Sequence, residues 1–398
     1  MQTRLNVIAG LGFFAYLASL AAGTFLLARL LGVGGDGIYF NVQRWETENA
    51  LGHLMYELRT AVSGTPEGAE ADGTIERYLQ LNQAIVDLRS ADAGASDESG
   101  QEQLELALDD RVALEGEVEA ILEDRVAEAV RSLDLTEELP IFEDYSPVWP
   151  PVSAELGEPP RVLATSPRER IELLDSDLLR PDLTSAEVLD VEARHNDEEL
   201  SAVVEDTGGV GTYPSNISHR TSYEDLLEVV AHEWTHQYLA FYPLGFNYFD
   251  SNELRTLNET VANVVGREVG ERAAELYPLG GSEPDEPASV RTIDFRSTMR
   301  ALRLEVDDLL AEGEIERAEQ RMEEVRRELA EGGIFIRKIN QAYFAFNGSY
   351  GDAPQSSSPI GPKIEDLRGS VPTLDEFLQL VRDVTSEREL NAALDAAD

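Results

Sequence analysis

Apolar residues along this chain recur mostly at three- and four-residue spacing, the period of a helix, and only locally in the alternation of a strand. In residues 38–62, Tyr39, Val42, Trp45, Leu51, Leu54 and Leu58 mark one helical face. Gly64 and Pro66 open a polar gap, and the helical pattern resumes over 74–89. The segment ADAGASDESG at 91–100 reads as a flexible acidic linker. Residues 102–133 are densely charged but keep a stripe of Leu104, Leu108, Val112, Leu114, Val118, Ile121 and Val126, which predicts one long helix. These pieces fit a helical bundle or hairpin, with a solvated stalk as the alternative for their charged parts.

Six prolines between Pro140 and Pro160 mark a change of organisation and the entry to a second region. Arg161 to Ala164 reads as a short strand and 184–195 as a helix. Leu200 to Asp206 predicts another strand, followed by a glycine turn and a second extended segment through Tyr213. Thr221 with Glu224 forms a capping box that opens a helix with Leu226, Leu227, Val229, Val230 and Leu239 on its apolar face. Pro243 and Gly245 stop it. Further helices are expected at 252–276, at 289–331 as a charged antiparallel hairpin turning at Glu312-Gly313, at 333–346 and at 374–394. The fold class is therefore α+β, predominantly helical, with a small sheet beside the 222–239 helix.

That helix carries the chemistry. Residues 232–236 read His-Glu-Trp-Thr-His. Positions i and i+4 share one helix face, so His232 and His236 can address one metal ion. Zinc takes imidazole nitrogen and carboxylate oxygen, and a catalytic zinc keeps one position for water. Glu233 is placed to act as general base on that water. Glu259, in the run Asn258-Glu259-Thr260-Val261-Ala262-Asn263 on the next helix, is the natural third ligand.

The pair of motifs resembles the gluzincin branch of zinc metallopeptidases, over residues 200–270. Certain bacterial membrane proteins labelled predicted aminopeptidases show similar helix pairs. The resemblance implies peptide hydrolysis at one Zn2+ per chain, with His232, His236 and Glu259 as ligands. It implies that Asn263 stands where the family places an aspartate bonded to a ligand histidine. It implies that Gly209, Val210, Gly211, Thr212 and Tyr213 form the edge pairing with a substrate backbone; a plain hairpin is the alternative. The oxyanion donor must then be a tyrosine, because no histidine follows His236. Tyr350, in the turn-rich Asn347–Gly351 segment, is the first choice and Tyr343 the second. Two other functions stay open: an inactive zinc-binding scaffold assembling with membrane partners, and an aminopeptidase acting on short peptides.

Composition adds limits. With 77 acidic and 32 basic residues the net charge is −45, which excludes the phosphate backbone of nucleic acids as a main partner. The charge suits a salty medium or reflects a high-GC genome. The absence of cysteine removes disulfides and thiolate metal sites. The 24 residues from Leu5 to Ala28 carry no charge, and the largely apolar stretch runs on to Leu31. That length spans a bilayer, so 5–31 is expected to anchor the chain, with a cleaved signal peptide as the alternative. The expected organisation is an anchor at 1–35, a helical membrane-proximal region at 36–138 and a peptidase-like domain at 139–398 outside the cytoplasm.

Overall fold

The computed structural model describes residues 37–42, 44, 45, 49, 65–92, 98–136, 148–280 and 293–397. The uncharged stretch at 5–31, most of the helix expected at 38–62 and residues 281–292, where the expected 289–331 hairpin begins, lie outside them. Among the described helices none is long and apolar enough to cross a membrane.

Helices α1 (Ala69–Asp92) and α2 (Glu98–Ser132) come first. Both exceed their apolar stripes by a few residues. Three short strands follow, β1 (Ala154–Gly157), β2 (Arg161–Pro167) and β3 (Asp175–Leu179). Helix α3 (Ser185–His195) is opened by Thr184, which forms a capping box with Glu187. Strands β4 (Leu200–Asp206), β5 (Gly209–Val210) and β6 (Ser215–Ser218) complete the β content. They form two three-stranded sheets instead of one. In the first, β6 lies between β1, its parallel partner, and β5, its antiparallel partner. In the second, β2 is central with β3 and β4 antiparallel to it.

Helix α4 (Tyr223–Leu239), the short α5 (Pro243–Phe246) and α6 (Asn252–Leu276) carry the motif pair. The N-cap of α4 is Ser222, whose hydroxyl accepts from Asp225 N at 3.2 Å, one residue later than the Thr221 box predicts. Helices α7 (Phe295–Ala311) and α8 (Ile315–Glu331) form the expected hairpin. The helix expected at 333–346 is shorter: α9 spans Gln341–Asn347. Asn340 caps it, and just before it Arg337 and Lys338 turn aside to pair with the buried Glu192 of α3. Helix α10 (Ile360–Ser370) was not legible as a helix. The expected 374–394 helix is two, α11 (Leu374–Val381) and α12 (Glu387–Ala397). The Glu389 carboxylate accepts from Thr385 N and Oγ1 and so caps the second.

One apolar core runs through both halves of the chain. Ile75, Tyr78, Ile121 and Leu122 belong to the same cluster as Leu226, Trp234, Val261, Val265, Ile364 and Phe377. Arg125 of α2 locks this join, donating to Asp72 at 2.6 Å and to the Tyr223 hydroxyl at 2.6 Å. The boundary expected at 138/139 therefore does not separate two cores. A second core joins the β2–β4 sheet to α7, α8 and α9, and a third lies under α3.

Helices α4 and α6 run so close that two glycines are required between them. A Cβ on Gly266 would stand 2.9 Å from the His232 Cα, and one on Gly270 would stand 2.8 Å from the Glu228 Cα. The pairing 232 with 266 and 228 with 270 makes the two helices antiparallel. This approach brings the two motifs face to face.

Candidate metal centre

Helix α4 is fixed on its core side. Trp234, inside the motif, is buried and donates its indole N–H to the Pro150 carbonyl at 2.9 Å. That leaves His232 and His236 on the side facing α6. Their Nε2 atoms lie 3.0 Å apart, and Glu259 Oε2 stands 3.6 Å from one and 3.4 Å from the other. Donors bound to one tetrahedral zinc at about 2.0–2.1 Å sit about 3.3–3.4 Å from each other. The three atoms bracket that spacing. Glu259 Oε2 is also buried with no hydrogen-bond partner, although its residue is 7% exposed at most. A buried carboxylate oxygen left open beside two imidazole nitrogens is a cradle for a cation. This group could hold a metal ion, and it is the one such cluster among the described residues.

The surroundings hold each donor in place. Asn258 directs its Oδ1 at His236 Nδ1 at 2.7 Å, while its Nδ2 faces the Leu244 carbonyl at 3.4 Å. The amide is thereby oriented to accept, so Nδ1 carries hydrogen and Nε2 faces the cluster. Asn263, expected in that supporting role, has its Nδ2 donating to Asp352 at 2.9 Å. Tyr248 donates its hydroxyl to Glu259 Oε1 at 2.5 Å. Neither Asn258 nor Tyr248 stood out in the sequence for this purpose. Asn258 was visible only as part of the Glu259 run.

Charge follows geometry. Burial works against ionising Glu259, but the two imidazoles outweigh it and hold its pKa well below the usual carboxylate range. Burial pulls the His236 imidazole down, and the Glu259 carboxylate, with Glu233 and the Asn258 oxygen, lifts it to about 9. Glu233 is buried, and burial raises its carboxyl. The charge of Glu259, then burial, keeps the Tyr350 phenol well above its usual value, and burial does so for Tyr248.

The remaining expected residues divide. The Tyr350 ring lies 6.5 Å from that of His232, and the next residue ties the segment down, Gly351 N donating to Thr260 Oγ1 at 2.9 Å. Tyr343 bonds to Gln355 inside the second core and is not at the cluster. Gly209 lies directly over Glu233: a Cβ there would meet Glu233 Oε1 at 2.5 Å. Gly211 is less tight, with its Cβ position 3.1 Å from His236 Cβ. Strand β5 is a terminal strand of its sheet. Thr212 is different, since its N donates to Val210 O and its O accepts from Gln237. Its backbone is satisfied internally and the same N–H bond occupies the Val210 carbonyl, which leaves Gly209 and Gly211 as the part of the edge at the site. Tyr213 is half-buried beyond it.

Among the aromatics after α4, Phe241, Phe246 and Phe249 are exposed and are not core. Glu253 is exposed and faces Glu387 N, away from the cluster. His219, just before α4, is largely buried: its Nδ1 and the Tyr78 hydroxyl share a hydrogen bond at 2.7 Å, and burial lowers its pKa to about 3.

No protein-family model matches the chain, and no curated protein and no solved structure matches it either.

Proposed function

We propose that this chain is a zinc-dependent peptidase of gluzincin type. The observation that carries the proposal is Glu233: it is buried beside a His232–His236–Glu259 cluster of tetrahedral spacing and lies under Gly209 and Gly211. Bound at the cluster, zinc would supply a Lewis acid that acidifies water and polarises a carbonyl. The chain's own residues would do the rest. Glu233 accepts a proton from water and returns it to the leaving amine, a task suited by a carboxyl that burial has raised. Gly209 and Gly211, which carry no side chain, would let an extended substrate backbone approach. Tyr350 donates its hydroxyl to the developing oxyanion, and its raised pKa keeps it protonated.

The scaffold alternative is the less favoured reading, because Glu233 is intact and buried beside the cluster. The aminopeptidase alternative needs an acid near the substrate edge to hold an α-amine. Beside Gly208 stands the Arg220 guanidinium instead. Membrane anchorage rests on the uncharged Leu5–Ala28 stretch alone. Chelator treatment of the full chain is expected to abolish cleavage of an unstructured protein such as casein, and added zinc to restore it. Cleavage that survives complete metal removal would overturn the proposal.

A further inference from the structure

Glu259 has two carboxylate oxygens with different tasks. Oε2 faces the two imidazole nitrogens and has no hydrogen-bond partner. Oε1 accepts from the Tyr248 hydroxyl at 2.5 Å. Tyr248 is itself held from three sides. The Arg255 guanidinium lies 5.3 Å from its ring centre and is tied to Ser176 Oγ at 3.0 Å. Phe249 meets the ring edge-on at 4.8 Å, and His236 does so at 6.2 Å. A phenol anchored this way is a fixed donor, aimed at one oxygen.

A carboxylate with both oxygens free can clamp a divalent ion through both and fill a second coordination position. A catalytic zinc needs that position for water. We infer that Tyr248 is a positioning residue that limits Glu259 to one-oxygen ligation and so keeps the fourth position open. The inference rests on the metal site proposed above. It assigns to the α5–α6 connection a role in setting coordination number that the motif pair does not contain. Tyr248 acts through Glu259 and needs no contact with substrate.

The test is X-ray absorption on the zinc-loaded full chain, beside Tyr248→Phe, with zinc affinity measured by chelator competition. The wild type is expected to show four light-atom neighbours at about 2.0–2.1 Å. The variant is expected to gain a fifth, longer oxygen contact and to change zinc affinity by about 10- to 100-fold. A phenylalanine that only loosened the fold would change melting temperature and leave coordination number alone. The wild-type spectrum is a test by itself, because a fifth oxygen already present there overturns the inference. An unchanged four-coordinate variant also overturns it, while leaving the metal site intact. A wild type that binds no zinc overturns the metal site itself, and is thus told apart.

Discussion

Replacing Gly266 by alanine tests whether the close approach of α4 and α6 sets the metal geometry. The new Cβ would sit 2.9 Å from both Cα and Cβ of His232 and 3.0 Å from its backbone nitrogen. Carbon atoms rest at about 3.5–4.0 Å, so the helices must part by about 0.6–1 Å at this level. No flexible side chain can absorb the shift, because the atoms met are backbone. Overpacking of this kind costs about 1–3 kcal/mol, and the better helix propensity of alanine offsets about 1 kcal/mol of that. The fold survives with a modest loss. The ligand does not stay in place, because metal–ligand distances tolerate only about 0.2 Å. Zinc affinity is expected to fall at least about tenfold, or about 1.4 kcal/mol. Gly270→Ala is the control: it makes the same kind of clash with Glu228, one turn from the ligand. Chelator competition and thermal melting of both variants separate the effects. Similar melting losses with zinc weakened only in Gly266→Ala support the reasoning. A Gly266→Ala protein that binds zinc as tightly as the wild type would refute it.

Three further outcomes follow from the same geometry. Because the His236 pKa is raised to about 9, a cation must displace its proton at lower pH, so apparent zinc affinity should climb about tenfold per pH unit and level off near pH 9. In the metal-free protein the same raised pKa stabilises fully below pH 6.5 and is lost as pH rises through about 9. Calorimetric zinc titrations across this range check both, and a plateau already at 6.5 would contradict the pairing with Glu259. Tyr350→Phe should keep its zinc and lose about 10²–10³-fold in cleavage rate; a variant that loses zinc instead would make Tyr350 a structural residue. His219, held neutral with a pKa of about 3, leaves the unfolded chain binding more protons between pH 3 and 6.5. Stability should therefore fall by up to about 1.4 kcal/mol per unit as pH drops through that window. Urea melts of wild type and His219→Gln should differ in that slope, and equal slopes would remove His219 from the acid response.

What the sequence disclosed was whatever depends on helical period. His232 and His236 are about one turn apart on one helix, with Glu233 next to the first, so the histidines' shared face needs no tertiary information. Glu259 was legible because its helix follows directly and its own motif marks it. The strands β1, β3 and β6 were not, since four or five residues are too few for a period to stand out in the sequence. Residues 334–340 were expected to belong to the 333–346 helix, but their Ile-Phe-Ile run is weak in helix propensity, Arg337 and Lys338 pair with Glu192, and Asn340 caps a helix that starts only at Gln341. Tyr248 and Asn258 acquire their roles only through the turn that folds α5 back onto α6, which no spacing rule announces. Thr212 looked like part of an open edge, but Gln237, a residue of the metal helix itself, takes its carbonyl.

The central claim is that Glu233 works beside a zinc ion held by His232, His236 and Glu259. The most direct test measures peptide-library cleavage and metal content together for the full chain and for Glu233→Gln. About one zinc per chain is expected in both proteins, with cleavage in the wild type and a loss of about 10²–10⁴-fold in the variant. Zinc bound in both with no cleavage in either, or cleavage in Glu233→Gln at the wild-type rate, would contradict it.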